Sequence, residues 1–240
     1  MDTNGFAVVT GTSSGIGAAL SAKLAAEGYD VLSIARRPPP SAGNGRIRHL
    51  ALDLTDPAAI PRVVAEVMSA GRPVDLLVNN AGMQLSHAVT DPYDAEAARA
   101  IRAELALNVE APIHLAWSLF DYLRKPGGAV VNVTSLTALH PKTSAPVYSA
   151  SKAALQSFTR ALRAQAEPLG INVMEVVPPL VDTAMTAGRG SGKITPETMA
   201  EAILDGVNWR QDVVAPRISR KVLFLNRVLP GIVARSLARS

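Results

Sequence analysis

A doubly wound parallel α/β sheet, forming one domain over residues 1–240, is the fold the sequence predicts. Three observations carry that prediction. Strand-like apolar runs alternate with helical stretches from end to end, the pattern of repeated right-handed βαβ crossovers. Apolar residues make up 48% of the chain, with Ala and Val used heavily, as a sheet covered by helices on both faces requires. Glycine-rich and small polar turns recur where strands would end at their carboxyl edge, the side on which such sheets bind ligands.

The elements follow in order. Phe6 to Thr10 reads as a short apolar strand, after which Gly11-Thr12-Ser13-Ser14-Gly15-Ile16-Gly17 opens a helix to about Glu27, closed by Gly28. Glycines between a strand and a helix let the backbone pass close to a ligand, and the N–H groups at the helix start bind phosphate. The second strand, Tyr29 to Ile34, runs into Ala35-Arg36-Arg37. In dinucleotide folds an acid near this point bonds the adenosine ribose, whereas a basic residue accommodates a 2′-phosphate. Two arginines and no acid favour NADP(H) over NAD(H).

Arg46 to Leu52 is expected as the third strand, followed by Asp53-Leu54-Thr55-Asp56, where Asp56 or Thr55 is placed to cap a helix beginning near Pro57. Val74 to Val78 forms the fourth strand and leads into Asn79-Asn80-Ala81-Gly82, amide and small residues that let a ligand approach. One long helical stretch from about Tyr93 to Leu123 carries Asn108 at its middle. Asn is a poor helix former, and it interrupts the apolar run of Leu105, Leu107 and Val109, which suggests a function. Ala129 to Val133 is the fifth strand, ending in Thr134-Ser135. Ile171 to Val177 is the sixth, followed by Pro178-Pro179-Leu180-Val181-Asp182-Thr183. The stretch Thr186 to Lys193, with Gly188, Gly190 and Gly192, reads as flexible. Thr195-Pro196-Glu197-Thr198 starts a further helix, and Asp212 to Ala215 a last strand.

Between strands five and six, Ser144 to Leu169 reads as a helix in which Tyr148, Leu155, Leu162 and Leu169 recur every seven residues. Tyr148 and Lys152 then share one face, their Cβ atoms roughly 5–6 Å apart. At ~5 Å and an effective dielectric of ~20, a cation favours phenolate over phenol by ~3 kcal/mol. A tyrosine so placed can exchange protons closer to neutrality.

Composition excludes several classes. There is no cysteine, so neither disulfides nor a thiolate metal site can form, and His49, His87, His114 and His140 lack ligand spacing; no metal is expected. No apolar run reaches the eighteen or more residues of a membrane span and no charged leader precedes the first strand, so a cytoplasmic protein is expected. The net charge of +4 is uneven. No acid follows Asp212, whereas Arg217, Arg220, Lys221, Arg227, Arg235 and Arg239 lie beyond it, leaving 18 cations against 20 acids elsewhere. The basic excess therefore belongs to the segment 217–240, and the body does not read as a nucleic-acid binder.

With Thr10-Gly11-xxx-Gly15-Ile16-Gly17, Asn79-Asn80-Ala81-Gly82, Asn108, Ser135 and Tyr148-xxx-Lys152 in this order, the chain resembles the short-chain dehydrogenase/reductase family over about residues 6–183. The resemblance implies a Rossmann-type fold and an NADP(H)-dependent carbonyl reductase or alcohol dehydrogenase. It implies that the Gly-rich turn (Gly11, Ser13, Ser14, Gly15, Ile16, Gly17) holds the pyrophosphate. Asp53 and Leu54 would contact the adenine, Asn80 with Ala81 and Gly82 line the cofactor cleft, and Val181 and Thr183 hold the nicotinamide carboxamide. Ser135 would bind the substrate oxygen, Tyr148 act as acid and base, Lys152 bond the nicotinamide ribose, and Asn108 hold a water of the proton relay. One departure stands out: Pro179 occupies a position where the family usually has glycine, which fixes φ, removes an N–H and marks a different loop path at the substrate mouth.

The partners expected are a small carbonyl or alcohol compound and further copies of the chain in a homo-oligomer. The segment Thr183 to Ile194 holds only Arg189 and Lys193 as charges, which favours an apolar ketone or aldehyde. Two alternatives on the same scaffold are an epimerase or dehydratase, and a catalytically idle NADP-binding regulator. In the tail, Ile218, Val222, Leu225 and Leu229 form an apolar helical stripe, and Ile232, Val233 and Leu237 begin a second piece after Pro230-Gly231. Packing on the core or a subunit contact is the favoured reading; the alternative is a weak, peripheral contact with anionic membrane.

Overall fold

Phe6–Thr10 (β1), Ala129–Val133 (β5) and Asn172–Val176 (β6) are buried along their whole length, as is Leu76–Asn79 (β4). Runs buried on both faces have no solvent side to keep polar, which is why they read as continuous Val and Ala stretches. The computed structural model describes residues 5–41, 45–85, 89–188 and 190–228, with the main chain alone for 217, 218 and 225–228. Within them, Asp30–Ala35 (β2), Ile47–Ala51 (β3) and Val213–Val214 (β7) complete a parallel sheet ordered β3-β2-β1-β4-β5-β6-β7. The order reverses between β1 and β4, the point beyond whose carboxyl ends sheets of this kind form their ligand-binding crevice.

Side chains alternate between the two faces of each strand. Val8 and Leu32 pack on one face with Val63, Leu115 and Leu162. These come from Ala59–Ala70 (α2), Ala111–Leu119 (α4) and Pro146–Ala166 (α5). Ala7, Val9 and Val131 pack on the other with Leu20, Leu24, Met199 and Ile203, from Gly15–Ala26 (α1) and Pro196–Asn208 (α6). Helices on both faces make the sheet doubly wound, as the sequence predicts.

Several expectations need correction. The helix after β3 starts at Ala59 and not near Pro57. Its N-cap is Ala58, without a side-chain bond; Asp56 instead receives the Ala58 N–H one turn early, at 2.9 Å, and Thr55 is spent on Asp53. The stretch from Tyr93 is not one regular helix. Asp94 caps Ala95–Leu105 (α3) by accepting from Glu96 and Ala97. Ala106–Glu110 then form a π-turn before α4, and Asn108 sits inside that bulge, a feature that π-turns often carry at functional sites. Leu169 falls in the turn Glu167–Leu169 beyond α5 and is 44% exposed, so the seven-residue stripe ends at Leu162. Strand limits shift by one or two residues, the last strand being only Val213–Val214.

The stretch expected to be flexible is partly tied down. Val181 and Ile194 form a parallel bridge, and Lys193 Nζ donates to the Thr186 carbonyl at 2.7 Å. Arg189 lies outside the described residues. Of the tail, Arg217–Val228 is a helix (α7). Ser219 is buried, Val222 half-buried and Phe224 exposed. The side chains of Ile218 and Leu225 in the expected stripe, and everything from Leu229 to Leu237, lie outside the described residues.

Candidate active site

The Gly-rich turn is built around a threonine. Thr10, the last residue of β1, donates its hydroxyl to the Val78 carbonyl on β4 and accepts the N–H groups of Asn80 and Ala81 at 3.0 and 2.9 Å. Asn80 returns its side-chain amide to the carbonyls of Thr10 and Gly11, at 2.9 and 3.2 Å. The residue expected to line the cofactor cleft clamps the turn. A Cβ on Gly17 would stand 2.3 Å from the Gly11 carbonyl oxygen, and one on Gly11, at φ +71°, 2.7 Å from Ala81 Cα. Only hydrogen fits at either position.

The end of α1 facing this turn has no side-chain cap and no acid in its first turn, Ser14 serving as N-cap without a bond to the helix. Uncapped N–H groups and the positive end of the helix dipole suit an anion. With a cradle that admits no side chain, the turn fits the diphosphate of a dinucleotide. Thr183 closes over it, its methyl 2.9 Å from where a Cβ of Gly15 would stand. Ser13, Ile16, Ala81 and Gly82 are partly accessible, while Val181 is buried.

Arg36 and Arg37 follow β2 directly and are exposed. Burial pushes the Asp53 carboxyl up, but hydrogen bonds from Thr55 and the nearby Arg36 guanidinium outweigh it, so that it lies below its ordinary value. Leu54, expected at the adenine, turns its side chain into the core.

On α5, the Lys152 Nζ lies 5.8 Å from the centre of the half-buried Tyr148 ring, so the shared face read from the spacing is present. Lys152 itself is buried and donates to the Val133 carbonyl at 2.8 Å. Burial pushes its ammonium down to about 8, against the Glu104 carboxylate, which raises it. Ser135 Oγ accepts the Thr137 N–H and hydroxyl, at 3.2 and 3.0 Å. Its own proton is left to donate elsewhere.

Asn108 is fully buried. Its Oδ1 accepts the Met83 N–H, and its amide donates to the Met83 carbonyl and to Ser151 Oγ at 2.8 and 3.0 Å. Both amide protons are committed, which leaves a second Oδ1 lone pair and the main chain for any water. The sequence names Thr10 only as the start of the Gly-rich motif, without its role in the turn, and does not single out Ser151 or Glu104. Ser151 stood within Tyr148-Ser-Ala-Ser-Lys152, and Glu104 was an acid one turn before Asn108 in an apolar run; both were signals that could have been followed. A cavity of about 260 Å³ among Phe6, Asp30, Arg46 and Arg72 lies toward the amino-terminal ends of the strands, away from all of these residues.

A family model described as short chain dehydrogenase matches residues 5–193. The chain is 29% identical to a fatty acyl-CoA reductase of Acinetobacter baylyi, covering 94% of this chain and 80% of that protein. It is also similar to a short chain dehydrogenase of Burkholderia cenocepacia solved in complex with NADP, with a TM-score of 0.85, 27% identity and full coverage of both chains. A short-chain dehydrogenase of Sphingobium yanoikuyae, solved with NADPH, matches with a TM-score of 0.80 and 27% identity, over 96% of this chain and 95% of that one.

Proposed function

The chain belongs to the short chain dehydrogenase family, and from that premise we propose that it transfers a hydride between NADP(H) and the carbonyl or alcohol carbon of an apolar substrate. The observation that carries the reading is the juxtaposition at the sheet's carboxyl edge. A glycine cradle at an uncapped helix start faces the crevice, and Tyr148 and Lys152 share one face of α5. NADPH, when bound, supplies the hydride. The protein's part is to meet the charge that develops on the substrate oxygen. Ser135 donates a hydrogen bond to that oxygen and Tyr148 gives it a proton; in the alcohol-oxidising direction Tyr148 takes the proton back. Lys152 stabilises the phenolate between these steps, and Asn108 holds α5 and the loop segment at Met83 together behind them.

An apolar substrate is supported by the scarcity of charge between Thr183 and Ile194, by the exposed Leu180 just before that stretch, and by likeness to a relative named fatty acyl-CoA reductase. An NADPH-oxidation screen over aliphatic, aromatic and sugar carbonyls tests the reading. Turnover strongest with long-chain or aromatic carbonyls is expected, and no net NADPH consumption with any of them rejects hydride transfer in favour of an epimerase, a dehydratase or an idle regulator.

The 2′-phosphate preference rests on Arg36 and Arg37, and on the NADP and NADPH held by the two similar structures. Charge-assisted bonds contribute roughly 1.5–3 kcal/mol each. Arg36→Ala with Arg37→Ala is therefore expected to weaken NADPH by tenfold or more and NADH far less, in fluorescence titrations. Equal weakening of both, or a parent enzyme that prefers NADH, overturns the assignment.

The basic tail supports a reversible contact with anionic lipid, with exposed Phe224 beside exposed Arg220 and Lys221 on α7. Each cation near such a surface contributes about 1 kcal/mol. Deleting everything after Pro216 is expected to lower sedimentation with anionic vesicles and leave neutral vesicles unaffected. A full-length chain that ignores anionic vesicles at low salt rejects the contact. Loss of oligomers or solubility on truncation assigns the tail to packing, as buried Ser219 at the start of α7 already favours.

A further inference from the structure

Glu104 is fully buried, although a carboxylate is among the groups least often taken out of water. It belongs to α3, one turn before Asn108, and the two side chains grip consecutive parts of one segment. Asn108 holds both the N–H and the carbonyl of Met83, and Glu104 Oε1 accepts the Leu85 N–H at 3.4 Å. The π-turn that continues α3 packs on α5 at this level, where Asn108 bonds Ser151, the neighbour of Lys152. Gly82, at the start of the gripped segment, leaves room for both. A Cβ there would stand 3.1 Å from Asn108 Oδ1 and 3.5 Å from Lys152 Nζ.

We propose that Glu104 is a positioning residue whose buried carboxylate keeps Lys152 an ammonium while fastening the wall of the cleft at Leu85. Lys152 is almost as deeply buried, and its one hydrogen bond among the described contacts goes to a neutral carbonyl, Val133. A buried cation needs an anion, and leaving one partner without the other costs more than removing both. Burial lowers the Lys152 ammonium and Glu104 is the charge that works against it. The other groups around the site do not replace it. Tyr148 is on the same helix, its ring centre 5.8 Å away, and β5 offers only the Val133 carbonyl. Glu175 on β6 is engaged one turn further along α5, by Gln156 at 2.6 Å and Thr134 at 2.9 Å.

The proposal rests on the hydride-transfer reading only for its kinetic consequence. Without the anion the Lys152 ammonium gives up its proton at lower pH, and the charge that supports the Tyr148 proton transfer goes with it. In Glu104→Gln, which keeps the shape and an acceptor for Leu85, the alkaline limb of carbonyl reduction is expected to move down by about one pH unit or more. Glu104→Asp keeps the charge and should hold the limb near that of the parent, as a merely structural role would not.

A double-mutant cycle on thermal unfolding tests the charge pair without any substrate. Glu104→Gln and Lys152→Met should each lower the midpoint, and the double variant should lose less than the two losses together. The double variant also supplies folded protein if Glu104→Gln alone does not. An unmoved alkaline limb in Glu104→Gln, an equal shift in Glu104→Asp, or additive losses in the cycle overturns the proposal. If no carbonyl is reduced at all, the hydride reading fails and the unfolding cycle still decides for or against Glu104.

Discussion

Replacing Tyr148 by Phe is expected to remove nearly all turnover and to leave NADPH affinity within about twofold of the parent. The ring stays, so the packing on α5 is kept; the phenolic proton is what disappears. General acid catalysis contributes typically 10²–10⁴-fold, and no other described residue couples a transferable proton to a buried cation at this crevice. Lys152 Nζ lies 5.8 Å from the Tyr148 ring centre, near enough for its charge to favour the phenolate that reduction leaves behind. Single-turnover reduction measured beside cofactor titration separates the two effects. A variant keeping more than about a tenth of the rate would place less than ~1.4 kcal/mol of barrier on the phenol, and Tyr148 would then not be the acid. A variant that has lost NADPH binding as well would point to a collapsed site and call for repeating the test with a smaller perturbation.

Gly17→Ala is expected to be nearly as damaging, by a different route. The added methyl would stand 2.3 Å from the Gly11 carbonyl oxygen and 2.5 Å from Asn80 Nδ2. Both belong to the cradle, and the first is backbone that cannot swing aside. Either α1 shifts or the turn does, and a shifted turn gives up the bonds that Asn80 makes to Thr10 and Gly11. Overpacking of this kind costs typically 1–3 kcal/mol of stability. Two misaligned charge-assisted bonds to a phosphate lose roughly 3 kcal/mol or more, about a hundredfold in cofactor affinity. Thermal unfolding and NADPH titration on the same protein check both losses. Affinity within about threefold of the parent would mean that the cradle does not touch the cofactor.

The parallel sheet, its helices and the edge that carries the site were legible because each depends on neighbours in sequence. Buried strands read as unbroken apolar runs, and the Gly11–Gly17 turn, the Arg36-Arg37 pair and the Tyr148–Lys152 spacing fall next to strand ends or on one helix face. The resemblance added roles that spacing alone leaves open, such as that of Ser135. What the sequence could not carry were the contacts closed across the fold. Asp56 and Thr55 both have the chemistry of a cap, yet Asp53 captures Thr55 and the helix begins two residues later. Asn108 was visible as a misfit in a helix, but the π-turn and its grip on Met83 exist only once that segment lies alongside.

Leu169 kept the period of α5 and still faces water, because the helix ends at Ala166 and a tighter turn carries the chain to Gly170. Glu104 shows the division most clearly. In sequence it is one acid on a helix, for which a solvated position is the ordinary outcome. Only the packing of α3 against α5, which buries both side chains, turns that acid and Lys152 into charges that must answer each other.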